Sequence, residues 1–410
     1  MPGSLTPGPL TPGLAKRLDR VQVAATVAMT NKAREMRAQG VEVIALTIGQ
    51  PDFPSPAHAI EAAHQAALSG DTKYPPQDGQ PGLKQAIQRK FKRDAGLDVA
   101  LDEIMVANGG KQVIFDALLA TLDDGDEVII PAPFWGAYPL MVRTLGGEPV
   151  TVTCPQNNGF KLRPEDLEAA ITPRTKWLIL NSPNNPTGTA LSAADLQGLA
   201  EVLLRHPHVW IMSDDMYEHL VFDGAHATMA AVEPRLRDRV LTVSGVSKTY
   251  AMTGWRIGFA AGPKGLIRAM VNMQGQVSAG VSTVGQAAAA AALDGPQDDA
   301  TMMQAAYRRR RDLVVEALNR APGVLCHKPE GAFYVYPNVA GCLGKTTAGG
   351  RALATDEDFA LALLEEKQVA LVHGRAFGMS PYLRISYATD DESLRDACER
   401  IVAFCSTLRS

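Results

Sequence analysis

The sequence predicts an α/β fold: a large domain on a mostly parallel sheet flanked by helices, and a smaller α+β domain built from the two ends of the chain. Two observations carry this. In the middle of the chain, short β-branched-rich apolar runs alternate with amphipathic segments of helical period. Strands that are apolar on both faces belong in a parallel sheet covered on both sides. Each strand run also leads straight into a polar or Pro/Gly-rich loop. In an open parallel sheet such loops converge on one crevice at the carboxyl ends of the strands. A length of 410 residues suits one large domain and a smaller one, at ~100–200 residues per domain.

The elements follow in order. Residues 1–14, with MPGSLTPGPLTPG, are Pro/Gly-rich without the apolar stretch of a secretory leader, and read as a flexible arm. Residues 15–55 are assigned with 301–410 to the small domain, and 56–300 to the large one. In ANGGKQVIFDALLA (107–120) two glycines precede an apolar helical pattern. DEVIIPAP (126–133), KWLILNSP (176–183), HVWIMSDD (208–215) and RVLTVSGVSK (239–248) are the expected strands. SAADLQGLAEVLLRH (192–206) is a helix with Ser192 as its N-cap and Pro207 after its end. The alanine run at 287–292 is too short to span a bilayer. Beyond it lie a long polar helix (301–320), a strand GAFYVYP (331–337), a helix DEDFALALLEEKQ (356–368) and a strand YLRISYA (382–388). There is no internal repeat.

Composition narrows the function. A content of 46% hydrophobic and 20% charged residues is that of an ordinary soluble globular protein. The formal net charge of -4 leaves no basic footprint for nucleic acid. The basic run YRRRRD (307–312) sits in a helical pattern and reads as a solvated face. Five cysteines without CxxC spacing argue against a disulfide framework or structural zinc and fit the reducing cytoplasm.

The loops PAPFW, NSPNNPTG, SDDMYEH and SGVSK bring Trp135, Asn185, Asp214, Tyr217 and Lys248 to a common space if their strands are parallel. Lysine becomes nucleophilic when desolvation or a nearby cation lowers its pKa. Lys248 follows an apolar strand and precedes Arg256, so both influences are expected. Such a lysine forms a Schiff base with an aldehyde, of which pyridoxal 5'-phosphate is the best-known protein-bound case. That cofactor needs a carboxylate at its ring nitrogen, which Asp214 would supply. Asn185 and Tyr217 could donate to its phenolic oxygen. Gly109 and Gly110, before a helix, with Arg256, would make an anion seat for its phosphate. Trp135 could stack on the ring.

These residues stand in seven ordered motifs: IGQPDF (48–53), TKYPPQDGQPGLKQAI (72–87), NGGKQ (108–112), NSPNNPTG (181–188), SDDMYEHL (213–220), SKTYAMTGWRIG (247–258) and LRISYAT (383–389). The set resembles the fold-type I, pyridoxal-phosphate-dependent aminotransferases of class I/II, and among them the bacterial aspartate aminotransferase subgroup that includes aspartate/prephenate enzymes. The resemblance implies a seven-stranded sheet, a cytoplasmic homodimer with shared active sites, and ping-pong exchange of an amino group between an L-amino acid and a 2-oxo acid. It implies that Lys248 holds the cofactor and shuttles the proton, Asp214 pairs with the ring nitrogen, and Asn185 and Tyr217 bond the phenolic oxygen. Gly110 and Arg256 would sit at the phosphate, with Tyr74 reaching it from the partner subunit, and Trp135 would stack. Arg384 would grip the substrate α-carboxylate, near Gly49 and Asn185, and Trp135 would also line the substrate site. Lys111 would hold either a distal substrate carboxylate or the cofactor phosphate.

Some positions depart from the pattern. Asp215 stands where many relatives have Glu, and Gly245 where many have a phosphate-binding serine, leaving Ser244 or Ser247 as substitutes. Ala24 replaces a frequent serine, and QGQVSAGVST (274–283) is smaller and less polar than usual, with Ala279 and Gly280 in it. Aspartate or glutamate is the expected donor, with aromatic amino acids or prephenate as the alternative. A carbon–sulfur β-lyase or a decarboxylase on the same scaffold, and a non-catalytic binding protein, are the other readings.

Overall fold

The structure, a computed structural model, describes residues 14–20 and 25–409. All but the last residue of the expected arm, and Ala24, lie outside them.

The first strand, β1 (Ile44–Ala45), lies apart from the central sheet. That sheet comprises β2 (Ile104–Ala107), β3 (Glu127–Ala132), β4 (Glu148–Thr153), β5 (Thr175–Asn181), β6 (Trp210–Asp214), β7 (Val240–Gly245) and β8 (Gly258–Ala261). Its seven strands run in the order β2-β8-β7-β6-β5-β3-β4. From β4 to β7 every pairing is parallel; β8 alone is reversed, antiparallel to both β7 and β2. The four expected strands are thus β3, β5, β6 and β7, adjacent and parallel. The three others carry weaker signals. β2 and β8 are only four residues long, and β4 is an edge strand with a half-exposed face.

Alternation explains why the runs look apolar throughout. Ile129, Leu178, Leu180 and Ile211 enter one core, while Val128, Ile130, Trp177, Ile179 and Met212 enter another on the opposite face. Successive side chains of a strand point to opposite faces, so covering both faces demands apolar residues at every position.

A separate core gathers Met29, Leu46, Tyr307, Val314, Phe333, Leu363 and Leu383 with Tyr217, Leu220 and Phe222 from the loop after β6. Its strands are β9 (Tyr334–Val335), β10 (Val369–Ala370), β11 (Val372–His373) and β12 (Leu383–Ser386). β1 pairs with β10, and β11-β12-β9 form an antiparallel sheet. β9 is much shorter than the expected 331–337. Ala332 adopts a left-handed φ of 56, and Pro337 follows two residues after the strand, so the ladder has little room to extend.

The long helix spans Asp298–Leu318, and its arginine run is not the solvated face expected from the sequence. Of the four consecutive arginines, only Arg308 and Arg309 face solvent; Arg310 and Arg311 are buried. Arg310 bonds Asp52 at 2.9 Å and Asp391 at 3.0 Å, while Arg311 bonds Asp223 and, at 3.0 Å, the Pro329 carbonyl. Four successive residues cover more than a full helical turn, so some must point inward. Of their carboxylate partners, Asp312 is the next residue, while Asp52, Asp223 and Asp391 come from distant parts of the chain.

Candidate active site

The crevice lies where β5, β6 and β7 end at Asn181, Asp214 and Gly245. Asn181 ties two of these ends together. Its Nδ2 donates to the Asp214 carbonyl at 2.9 Å, and its Oδ1 accepts from the Asn185 backbone N–H at 2.8 Å. The NSPNNPTG loop is tightened further by Asn184, whose Oδ1 accepts from the Thr187 N–H at 3.1 Å and hydroxyl at 2.9 Å. Asn185 is thereby held in a buried position.

Asp214 is buried and accepts from the Tyr138 hydroxyl and from the Met216 N–H at 3.3 Å. Burial raises its pKa to about 6, with Asp215 adding to the rise, while the Tyr138 and Met216 bonds and Lys248 oppose it. The Tyr138 ring meets Trp135 edge-on at 5.3 Å, so the indole is positioned through the same residue that orients the carboxylate.

Lys248 leaves the end of β7 and donates from Nζ to the Gly49 carbonyl at 2.5 Å. No carboxylate pairs with it among the described residues. Burial lowers its pKa to about 8, the Arg384 and Arg256 charges push the same way, and Asp214 opposes. A lysine so placed carries a substantial neutral fraction near neutral pH and can act as nucleophile or base. Of the two serines considered near it, Ser244 is engaged elsewhere, donating to Glu218 at 2.5 Å. Ser247 is buried and its hydroxyl has no protein partner among the described residues.

A second cluster surrounds the start of the helix Gly110–Leu119. Gly109 takes a φ of 86, and the Arg256 guanidinium lies so close that a Cβ at Gly109 would collide with it. Arg256 donates to the Thr253 carbonyl at 2.9 Å and the Asn108 carbonyl at 3.3 Å. Gly258 packs against the Gly109–Gly110 peptide with no room for a Cβ. The result is a helix N-terminus with its amides open and a guanidinium beside them, the usual form of an anion seat. The Lys111 ammonium lies 5.0 Å over the Trp135 ring, and partial desolvation together with Arg256 lowers its pKa.

Arg384, on β12, is 3% exposed. It donates to the Asn185 side-chain oxygen at 3.1 Å and to the Thr47 carbonyl, and its Nε has no partner among the described residues. The rings of Tyr334 and Phe377 lie 4.8 and 4.9 Å from its guanidinium carbon. Burial lowers its pKa. A guanidinium removed from water without a carboxylate is costly unless an anion is supplied from outside.

The fold therefore connects Gly49, Asn185, Asp214, Tyr217, Lys248 and Arg384 in one network. It joins them through Tyr138 to Trp135, Lys111, Gly110 and Arg256. Tyr74 stands apart at 94% exposed. Gly280 packs against Pro75, so the 274–283 segment adjoins the stretch that carries Tyr74. Sequence reasoning missed Asn181, Tyr138, Thr47, Tyr334 and Phe377. Asn181 alone left a signal, as the first residue of a motif already singled out.

The chain is similar to known proteins over nearly its whole length. The family described as Aminotransferase class I and II matches residues 41–401. An aspartate/prephenate aminotransferase of Cereibacter sphaeroides is 57% identical over 396 residues, covering 96% of this chain and 99% of that protein. The crystal structure of the Rhizobium meliloti aspartate aminotransferase superposes with a TM-score of 0.95 at 51% identity, covering 97% of this chain and 99% of the other. The Thermus thermophilus aspartate aminotransferase with maleate gives a TM-score of 0.89 at 42% identity, covering 96% and 99%.

Proposed function

This chain belongs to the class I and II aminotransferase family, and from that premise we propose that it exchanges an amino group between aspartate or glutamate and a 2-oxo acid, with Lys248 as the central base. The observation that carries the substrate reading is Arg384, a buried guanidinium with an unpartnered Nε, on the same network as Lys248. A substrate α-carboxylate would satisfy it through paired bonds.

The residues present fit pyridoxal 5'-phosphate. A desolvated lysine amine feels the charges of a buried carboxylate and of two arginines, and an open helix N-terminus beside Arg256 suits a phosphate. When bound, the cofactor supplies an electron sink for the carbanion left by loss of the Cα proton. We assign to the chain the remaining tasks. Asp214 holds the ring nitrogen protonated, with Tyr138 fixing its orientation. Asn185 and Tyr217 donate to the phenolic oxygen, and Trp135 covers the ring. Gly110, Arg256 and Ser247 seat the phosphate, completed by Tyr74 from a second copy. Arg384 orients the substrate, and Lys248 Nζ carries the proton to and from Cα.

For the far end of the substrate we assign Lys111. Its ammonium over Trp135 suits a second carboxylate, and the relatives named for aspartate, one of them a structure with maleate, support an acidic substrate. The small residues Ala279 and Gly280, and the relative named for prephenate, support prephenate as a bulkier acceptor. Exposed Ile48 and Val277, together with Tyr74, support a homodimer that closes over this region. The five free, buried cysteines support a cytoplasmic setting.

The test is a comparison of aspartate and phenylalanine in native enzyme and Lys111→Ala. Aspartate should lose about 10-fold or more in kcat/KM, phenylalanine little, since tenfold corresponds to ~1.4 kcal/mol. Equal losses would assign Lys111 to the cofactor phosphate instead. Release of ammonia without an added 2-oxo acid would replace the transferase reading with a lyase.

A further inference from the structure

One side chain touches three parts of the site at once. Tyr334 lies on β9, opposite Ser386 in the ladder with β12, and so shares a face with Arg384 two residues earlier. Its ring covers one side of the Arg384 guanidinium at 4.8 Å, and Phe377 contributes a second ring at 4.9 Å. Its hydroxyl lies 3.0 Å from that of Tyr217. The same oxygen abuts Gly49 so closely that any Cβ there would strike it, and the Gly49 carbonyl is the acceptor for Lys248.

Both phenols are buried, and burial raises the pKa of each, so both stay protonated at neutral pH. Two neighbouring hydroxyls share one hydrogen between their oxygens and leave the other free. If Tyr217 turns its hydrogen toward an anionic oxygen in the crevice, its own oxygen must accept from Tyr334. A hydroxyl that accepts a hydrogen bond becomes a stronger donor. The ring of Tyr334 meanwhile lies against the guanidinium, whose fork must face a carboxylate.

We propose that Tyr334 is a positioning residue with two separable tasks: its hydroxyl polarises Tyr217 toward the cofactor's phenolic oxygen, and its ring aligns Arg384 for the substrate carboxylate. This rests on the reading of Lys248, Tyr217 and Arg384 given above. It makes the carboxylate grip and the cofactor contact depend on one side chain brought in by the smaller sheet.

The experiment compares Tyr334→Phe and Tyr334→Leu with native holoenzyme, recording the pH at which the bound chromophore changes absorbance, kcat and KM separately, and the thermal midpoint. Weakening the Tyr217 bond removes stabilisation from negative charge on its acceptor, so the titrating proton is held more firmly. The Phe variant should shift the transition upward by roughly half a pH unit, the scale of a partly lost hydrogen bond. Its kcat should fall several-fold with KM near native, because the ring remains. The Leu variant should show the same shift and, in addition, a KM raised about tenfold for every amino acid, a loss within the range of cation–π contacts. A Phe variant that titrates at the native pH overturns the hydroxyl's role. A Leu variant with the KM of the Phe variant overturns the ring's. Native enzyme without a pH-dependent chromophore would sink the Lys248 reading along with this one, whereas native titration with unaltered variants sinks this one alone. A fall in thermal midpoint with no spectral shift would mark Tyr334 as merely structural and overturn the proposal.

Discussion

Arg311 and Arg384 are both buried arginines, and their surroundings differ in one respect. Arg311 is ringed by acids, with Asp223 and Asp312 in ion-pair contact. Arg384 has an amide oxygen, a carbonyl and two aromatic rings, and no carboxylate among the described residues. The lysines repeat the contrast. Lys90, buried, is paired with Glu218, with Asp94 at 3.8 Å, whereas among the described residues Lys248 has only a carbonyl as hydrogen-bond acceptor. A buried cation that the fold has neutralised belongs to the architecture. One that the fold has desolvated and left without a counter-charge is poised for a ligand, because only an incoming anion or aldehyde relieves the cost.

The largest effect expected from this contrast is in Lys248→Ala. Turnover should fall by at least the ~10²–10⁴-fold that a general base contributes, with the fold intact by circular dichroism. Lys90→Ala should instead unfold more readily, because Glu218 is left buried and unpaired. Near-native turnover in Lys248→Ala would erase the distinction between the two lysines.

The arginines separate activity from stability in the same way. Arg384→Ala should lose about 30-fold or more in kcat/KM for every amino acid, following the ~2–5 kcal/mol lost when one partner of a buried charge contact is truncated. Arg384→Lys should recover only part, since an ammonium cannot make two parallel bonds. Arg311→Ala should leave kcat/KM within a few-fold and lower the unfolding free energy in urea titration, because the Asp223 and Pro329 bonds and the packing of the long side chain are lost. A stability loss in Arg384→Ala equal to that in Arg311→Ala would mean that both are structural.

The smallest effect is a pH dependence in the cofactor-free protein. The folded pKa of Lys248, about 8, lies below its ordinary 10.5. Between these values the unfolded chain binds more protons, so this group makes stability rise with pH, and its cost is complete below pH 8. Lys248→Met should therefore be more stable than native apoprotein at pH 7, by on the order of 2 kcal/mol, with the difference shrinking by pH 10. A constant difference across that range would mean that Lys248 is not desolvated as described.

The sequence by itself determined the features that depend on neighbours along the chain. Continuous apolar runs in β3, β5, β6 and β7 specified a sheet buried on both faces, and the polar residues that follow those strands marked the crevice holding Asn185, Asp214, Tyr217 and Lys248. The two glycines before Gln112 announced a helix start with open amides. Side-chain pairing across the chain was decided only by the tertiary structure. Tyr138 reaches Asp214 from 76 residues away, and Thr47 meets Arg384 across 337, with no trace of either in local pattern. The same limit produced the error at YRRRRD. Four arginines in a row look solvated until Asp52, Asp223 and Asp391 arrive from three separate segments to neutralise the two that turn inward. Local sequence sets backbone preference and burial period, but whether a buried charge is paired or left waiting depends on distant residues that only the folded chain brings within a few ångströms.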